Sequence, residues 1–85
     1  MRVKLFYFAW VREKIGRAEE DLELPAGITT VAELIDWLKQ QGPEYGEAFR
    51  RAEVVRAAVN QTHVAPSASI VGATEIAFFP PVTGG

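Results

Sequence analysis

The segment from Thr30 to Gln41, "TVAELIDWLKQQ", constrains the fold of this chain more than any other. Val31, Leu34, Ile35 and Leu38 recur at i, i+3, i+4 and i+7, which lays a single apolar stripe along one side of a helix. Thr30 followed by Glu33 is a capping box: the threonine oxygen accepts an amide that the helix leaves unpaired, and the glutamate reaches back to the cap backbone. Gly42-Pro43 then closes the helix. An apolar stripe of this kind has to be buried, and the rest of the chain offers mainly strands to bury it against.

Those strands are read from period-two alternation. Arg2 to Phe8 sets Val3, Leu5 and Tyr7 against Lys4, Phe6 and Phe8, so one face suits a core. The other face starts polar at Lys4 but carries two phenylalanines further on, and its far end is expected to be covered by something. Ala9 to Ile15 allows a short helical turn that stops at Gly16. Glu20 to Leu24 places Leu22 and Leu24 on one side and Asp21 and Glu23 on the other, a half-buried strand hairpinned to the first and closed by Pro25 and Gly27. Tyr45 and Phe49 lie one turn apart, which predicts a second, shorter helix over residues 44–52. Arg56 to Asn60 and Thr62 to Val64 read as short strands around an Asn60-Gln61 turn, and Pro66 to Gly72 as a loop. Thr74 to Phe79 is the last strand, with Ile76 and Phe78 facing one way and Ala77 and Phe79 the other. The order predicts an α+β fold: a mixed sheet wrapped around one main helix, with one domain over residues 1–79 and a protruding tail over residues 80–85.

Composition excludes several function classes. The 85 residues allow one small core that buries about 60 to 65% of the unfolded surface. A net charge of −2 lacks the basic footprint on which phosphate-backbone affinity rests, so no nucleic-acid partner is expected. There is no cysteine, which rules out a disulfide scaffold, a thiolate metal site and a cysteine nucleophile together. His63 is the single histidine, and a self-contained metal centre is not expected. The apolar run Leu5 to Val11 leads directly into Arg12, Glu13 and Lys14 with no small-residue cleavage site, so it reads as a core strand rather than a signal peptide. No stretch approaches the roughly 20 apolar residues that span a bilayer, so no membrane association is expected and a cytoplasmic location is the default.

The chain ends "AFFPPVTGG". Glycine loses more backbone freedom on ordering than any other residue and brings no side chain to pack, so folding gives no reason for a terminal Gly84-Gly85. Pro80 and Pro81 cannot donate to a sheet ladder; they end the last strand and project the closing residues as a stiff, extended segment. Six residues at about 3.3 Å each give the tail a reach of roughly 20 Å, enough to enter a partner's pocket. Glycines there permit passage through a narrow channel and leave the carboxylate open to attack from either side. A free α-carboxylate, with a pKa of about 3.3 to 3.7, is an anion and a poor electrophile at neutral pH. Conversion to an acyl-phosphate anhydride, for instance with AMP, supplies a leaving group, after which a sulfur, nitrogen or oxygen nucleophile can take the acyl carbon. The chain has no P-loop, glycine-rich phosphate cradle or catalytic dyad for this, so the activating machinery belongs to another protein.

Three stretches in order, "FAWVRE" at residues 8–13, "AAVNQT" at 57–62 and "EIAFFPPVTGG" at 75–85, resemble the small subunits of molybdopterin synthase, within the ubiquitin-like β-grasp sulfur carriers. The resemblance runs through the whole chain, and "FFPPVTGG" is its most specific part. It implies a ubiquitin-like β-grasp fold and a carrier without catalytic machinery of its own, serving as the sulfur-donating subunit of a heterotetrameric synthase. An ATP-dependent adenylating enzyme related to ubiquitin activators charges Gly85, and a sulfurtransferase turns it into a thiocarboxylate. The tail then enters the large subunit, where its sulfur goes to cyclic pyranopterin monophosphate to build the molybdopterin dithiolene. The chain itself binds no cofactor; ATP is used by the adenylating partner.

By the same resemblance Gly85 is the acyl carrier and Gly84 its slender neighbour, while Pro80, Pro81, Val82 and Thr83 form the inserted arm. Phe8 and Phe79 match positions that present an apolar patch to partners, and Arg12 matches a residue that pairs with an acidic partner group. His63 falls in that partner patch where the family often has an aliphatic residue. The family also usually carries Asp-Gly-Asp-Glu before the last strand, where this chain has Gly72, Ala73, Thr74 and Glu75, a difference confined to a turn. Trp10 and Trp37 read as packing residues, and both Arg50-Arg51 and the acidic run Glu19, Glu20 and Asp21 as solvated faces. Other readings of the same tail are a sulfur carrier for thiamine or amino-acid biosynthesis or tRNA thiolation, a ubiquitin-like modifier joined to lysines, and a binding module whose tail is incidental.

Overall fold

Thr30 starts the main helix as the capping box requires: the Glu33 amide donates to its hydroxyl oxygen at 3.2 Å, and Glu33 Oε1 accepts from the Thr30 amide at 3.1 Å. In the computed structural model, which describes residues 1–81, the elements run β1 (Arg2–Tyr7), α1 (Ala9–Ile15), β2 (Glu19–Glu23), α2 (Val31–Lys39), α3 (Pro43–Ala48), a single 3-10 turn at Ala52–Val54, β3 (Arg56–Val59), β4 (Thr62–Val64) and β5 (Glu75–Phe79). Helix α2 stops at Lys39 with Gln40 as its cap, short of the expected Gly42. Gly42-Pro43 instead opens α3, because a proline in the first helical turn gives up an amide that has no partner there anyway. Helix α3 is shorter than the predicted 44–52, since Phe49 leaves helical geometry and the chain tightens into the 3-10 turn.

The five strands form one mixed sheet in the order β2-β1-β5-β3-β4. Strands β1 and β5 are parallel, and every other pair is antiparallel. The strands nearest the two ends of the chain therefore lie side by side in the middle, where a parallel pair is covered on one face by helices. Val3, Leu5 and Tyr7 of β1, Ile76 and Phe78 of β5, and Ala57 of β3 share one face, and they join the α2 stripe of Val31, Leu34, Ile35 and Leu38 in a single core. Phe49 meets Phe78 edge to face at 5.2 Å between ring centroids, a geometry that adds about 0.5 to 1.5 kcal/mol beyond the area the rings bury.

Two residues depart from the sequence reading. Ile70 lies in the predicted loop yet is fully buried, held there by its own amide donating to the Thr29 carbonyl at 2.9 Å. Glu20 belongs to the inner rather than the solvated side of β2: its Oε2 accepts from Tyr7 Oη at 2.7 Å and from Tyr45 Oη at 2.6 Å, and its Oε1 from Arg17 Nη1 at 2.9 Å. Trp10 and Trp37 pack against the core, as expected.

Candidate functional site

The outer face of the sheet, away from the helices, is built by the same alternation that fills the core. Register sets Phe6 opposite Ala77 and Ala77 opposite Ala58, while Ala58 faces His63 across β3 and β4. Phe8 stays extended (φ −124°, ψ 154°) and its amide donates to the Phe78 carbonyl at 3.0 Å, so it continues the alternation onto that outer face, one step past the Tyr7–Phe78 pair. The His63 ring lies 5.0 Å from that of Phe79, tilted by 48°. The structure thus puts Phe8, just past the end of β1, on the same face as the contacting pair Phe79 and His63 of β5 and β4, and adds Phe6, Ala58 and Ala77 to that surface.

Phe8 is 49% exposed, and Ala58, although buried at 7%, stands outside the core cluster, in register with Ala77 and His63 of the outer face. A phenylalanine ring left half in water forgoes a large part of the burial energy of about 1.5 to 3 kcal/mol that a core position would give it. An apolar surface at the mouth of a strand suits a partner better than it suits the isolated chain. Arg56 stands opposite Phe79 in the ladder and puts an exposed cation at the patch edge. Sequence reasoning missed it, although its parity with Ala58 places it on the outer face. Arg12 is exposed on α1 and makes no ion pair among the described residues; the structure does not join it to the Phe8, Phe79 and His63 cluster.

Strand β5 delivers the tail. Its ladder to β1 and β3 holds the chain straight through Phe79, after which Pro80 and Pro81 leave the sheet half-buried. The tail root is thereby fixed beside the apolar face. Val82, Thr83, Gly84 and Gly85, the arm and acyl end expected from the sequence, lie outside the described residues. Gly72 occupies the left-handed region (φ 82°) in the turn before β5, where glycine carries no steric penalty. Asn60 Oδ1 holds the start of that strand by accepting from the Thr74 and Glu75 amides at 3.0 and 3.1 Å. Among the described residues no group of three or more His, Cys, Asp or Glu is placed to hold a metal ion, and no helix is long and apolar enough to cross a membrane.

A five-stranded mixed sheet with its two end strands paired in parallel at the centre, gripping one main helix and releasing its chain end from the middle strand, is the ubiquitin-like β-grasp architecture. Solved structures agree: superposition on small archaeal modifier protein 1 of Haloferax volcanii gives a TM-score of 0.73 at 22% identity over all of both chains. A Pyrococcus furiosus protein described as a candidate molybdopterin converting factor subunit 1 gives 0.70 at 29% identity, over 96% of this chain and 99% of that one. Within that architecture the chain belongs to the ThiS family, whose model matches residues 5–85. It is 37% identical over 83 residues to the molybdopterin synthase sulfur carrier subunit of Escherichia coli (strain K12), covering 98% of this chain and 99% of that one. The subunit of the same description from Mycobacterium tuberculosis is 37% identical over 87 residues, covering 100% and 99%.

Proposed function

We propose that this chain is the sulfur-carrier small subunit of a molybdopterin synthase and that its reactive centre is the carbonyl of Gly85. The observation that carries the reading is the near-full-length similarity to subunits of that description, together with a family match that extends through the closing Gly84-Gly85. The geometry supports it: a rigid central strand ends at Pro80-Pro81 beside an apolar face, so one partner can hold the body while it receives the arm.

In this mechanism the Gly85 carboxylate attacks the α-phosphorus of ATP on an adenylating enzyme, pyrophosphate leaves, and an acyl-adenylate forms. The outer sulfur of a sulfurtransferase persulfide displaces AMP from the acyl carbon, and a thiol reductant then cleaves the resulting acyl disulfide at its S–S bond to leave a thiocarboxylate. The arm of Pro80, Pro81, Val82 and Thr83 then carries that group into the large subunit. There its sulfur bonds to a carbon of cyclic pyranopterin monophosphate, and water hydrolyses the acyl–sulfur bond, leaving the sulfur on the pterin and regenerating the carboxylate. Phe8, Phe79 and His63 form the docking surface, Arg12 an accessory contact, and Gly84 keeps the end slender enough to thread. The chain supplies the acyl group and its delivery, while its partners supply the nucleotide chemistry.

Intact-mass measurement of the protein from its native cells tests this. Replacement of one oxygen by sulfur at Gly85 is expected, whereas an isopeptide remnant on other proteins would identify a modifier and an invariably unmodified terminus a binding module. Pull-down is expected to recover the large subunit and to lose it in a Phe8→Asp/Phe79→Asp variant. Appending one residue after Gly85 is expected to leave the melting temperature unchanged and to abolish sulfur transfer; transfer that survives the extension would refute the mechanism.

A further inference from the structure

A cleft of about 320 Å³ opens on the helical side of the tail root, away from the Phe8 and Phe79 face. Trp10, Val54 and Pro81 give it apolar walls, and Lys14, Arg50 and Arg51 stand at its rim. Glu47 is the one carboxylate in the lining, shared between Lys14 at 3.7 Å and Arg50 at 3.8 Å, while Arg51 lies 3.5 Å from Glu53. With Glu53 counted beside Arg51, three cations stand against two carboxylates and leave the cleft and its rim positive by one charge on a chain whose net charge is −2. The Arg50 and Arg51 side chains are 73% and 72% exposed. Open pairs of this length are worth about 0 to 1 kcal/mol in water, so a better-placed carboxylate from outside can replace them.

Position selects the kind of ligand. Pro81 is both a wall of the cleft and the last described residue of the arm, so an occupant of the cleft also touches the root of the arm. The four residues beyond it span at most about 14 Å. A body that grips Gly85 and fills the cleft together has to be a protein, and the apolar walls under a cationic rim ask it for an apolar side chain next to a carboxylate. We infer that the cleft receives an acidic loop of the synthase large subunit, its apolar side chain against Trp10, Val54 and Pro81 and its carboxylate against Arg50 and Arg51. Together with the outer face, this would clamp the tail root from two sides. The inference rests on the reading that the tail is delivered into that subunit.

The test uses the full chain labelled with 5-fluorotryptophan, which has only Trp10 and Trp37 to report, titrated with the large subunit from the same genome. The Trp10 fluorine signal is expected to shift on binding while that of Trp37, on α2, stays in place. An Arg50→Glu/Arg51→Glu variant is expected to melt within a few degrees of the parent, to bind about tenfold or more weakly at low salt, and to narrow that gap to about threefold in 0.5 M salt. An unmoved Trp10 signal, or an unchanged Kd in the charge-reversed variant, overturns the inference. So does a Trp10 shift in the free protein on truncation after Pro81, which would assign the cleft to the chain's own tail. Failure of the unaltered chain to bind the large subunit at all would instead sink the functional reading, and this inference with it.

Discussion

Glu20 shows how far single-residue reasoning reaches. Its place in the run Glu19, Glu20, Asp21 suggests a solvated face, yet period-two parity puts it with Leu22 on the inner side of β2, and its side chain is only 11% exposed. Burying a carboxylate without partners is costly, and the donors that make it tolerable come from Tyr7 on β1 and Tyr45 on α3. The parity is legible in the sequence, but the two hydroxyls converge only after folding. Burial, reinforced by the hydrogen bond to Glu20, pushes the Tyr7 hydroxyl far up and the Tyr45 hydroxyl up to about 12. A folded pKa raised above the ordinary value near 10 means that the contribution is complete below pH 10 and is lost as pH rises towards 12. Denaturant midpoints measured from pH 8 to pH 12 are therefore expected to fall above pH 10, and the fall is expected to be shallower in Tyr45→Phe. At the acid end, hydrogen bonds from the Thr29 amide and hydroxyl hold the Glu33 carboxyl below its usual range, so its contribution is present near neutrality and is lost as pH drops through that lowered value.

Elements were most legible where one local pattern decided them. The α2 stripe and its capping box needed nothing from the rest of the chain, and Thr30→Ala is expected to cost about 1 kcal/mol in denaturant unfolding, with a range of about 0.5 to 2. The hairpin between β3 and β4 carried a weaker signal, for a physical reason. Asn60 and Gln61 both adopt positive φ, at 48° and 72°, a conformation glutamine takes reluctantly. Gln61→Gly relieves that penalty but forfeits an exposed side-chain bond to Glu75 and adds backbone entropy to the unfolded state. The relief is expected to prevail and to raise stability by about 0.5 kcal/mol; a lower denaturant midpoint would show that the turn gains nothing from glycine. Ile70 stands at the other extreme. Nothing periodic surrounds it, and its burial depends on the loop crossing the start of α2, where the Val31 amide donates to the Ala68 carbonyl at 3.1 Å.

Across the whole molecule, the adjacent rings of β5 serve opposite purposes. Phe78 is fully buried against Tyr7 and Phe49, whereas Phe79 lies on the outer face beside His63. Phe78→Ala is expected to cost about 3 to 5 kcal/mol, a large share of what a domain of this size possesses. Phe79→Ser is expected to cost about 1 kcal/mol or less while weakening capture of the large subunit by at least about tenfold, because a partly exposed ring at a docking surface contributes more to the complex than to the fold. Equal destabilisation by the two changes in thermal melts would place Phe79 in the core and remove it from the docking surface.

Periodicity, capping and proline chemistry act between neighbours in the chain. They were enough to fix the main helix, the inner and outer faces of the first and last strands, the exit at Pro80-Pro81 and the resemblance that predicted the fold. Strand order is a different matter, because it depends on pairings between segments about 70 residues apart and on which of them bury the most apolar surface together. Only the folded chain could therefore put β1 beside β5 in parallel, gather Phe8, Phe79 and His63 on one surface, bring two tyrosines to Glu20, and open a cationic cleft where α1, α3 and the tail root meet.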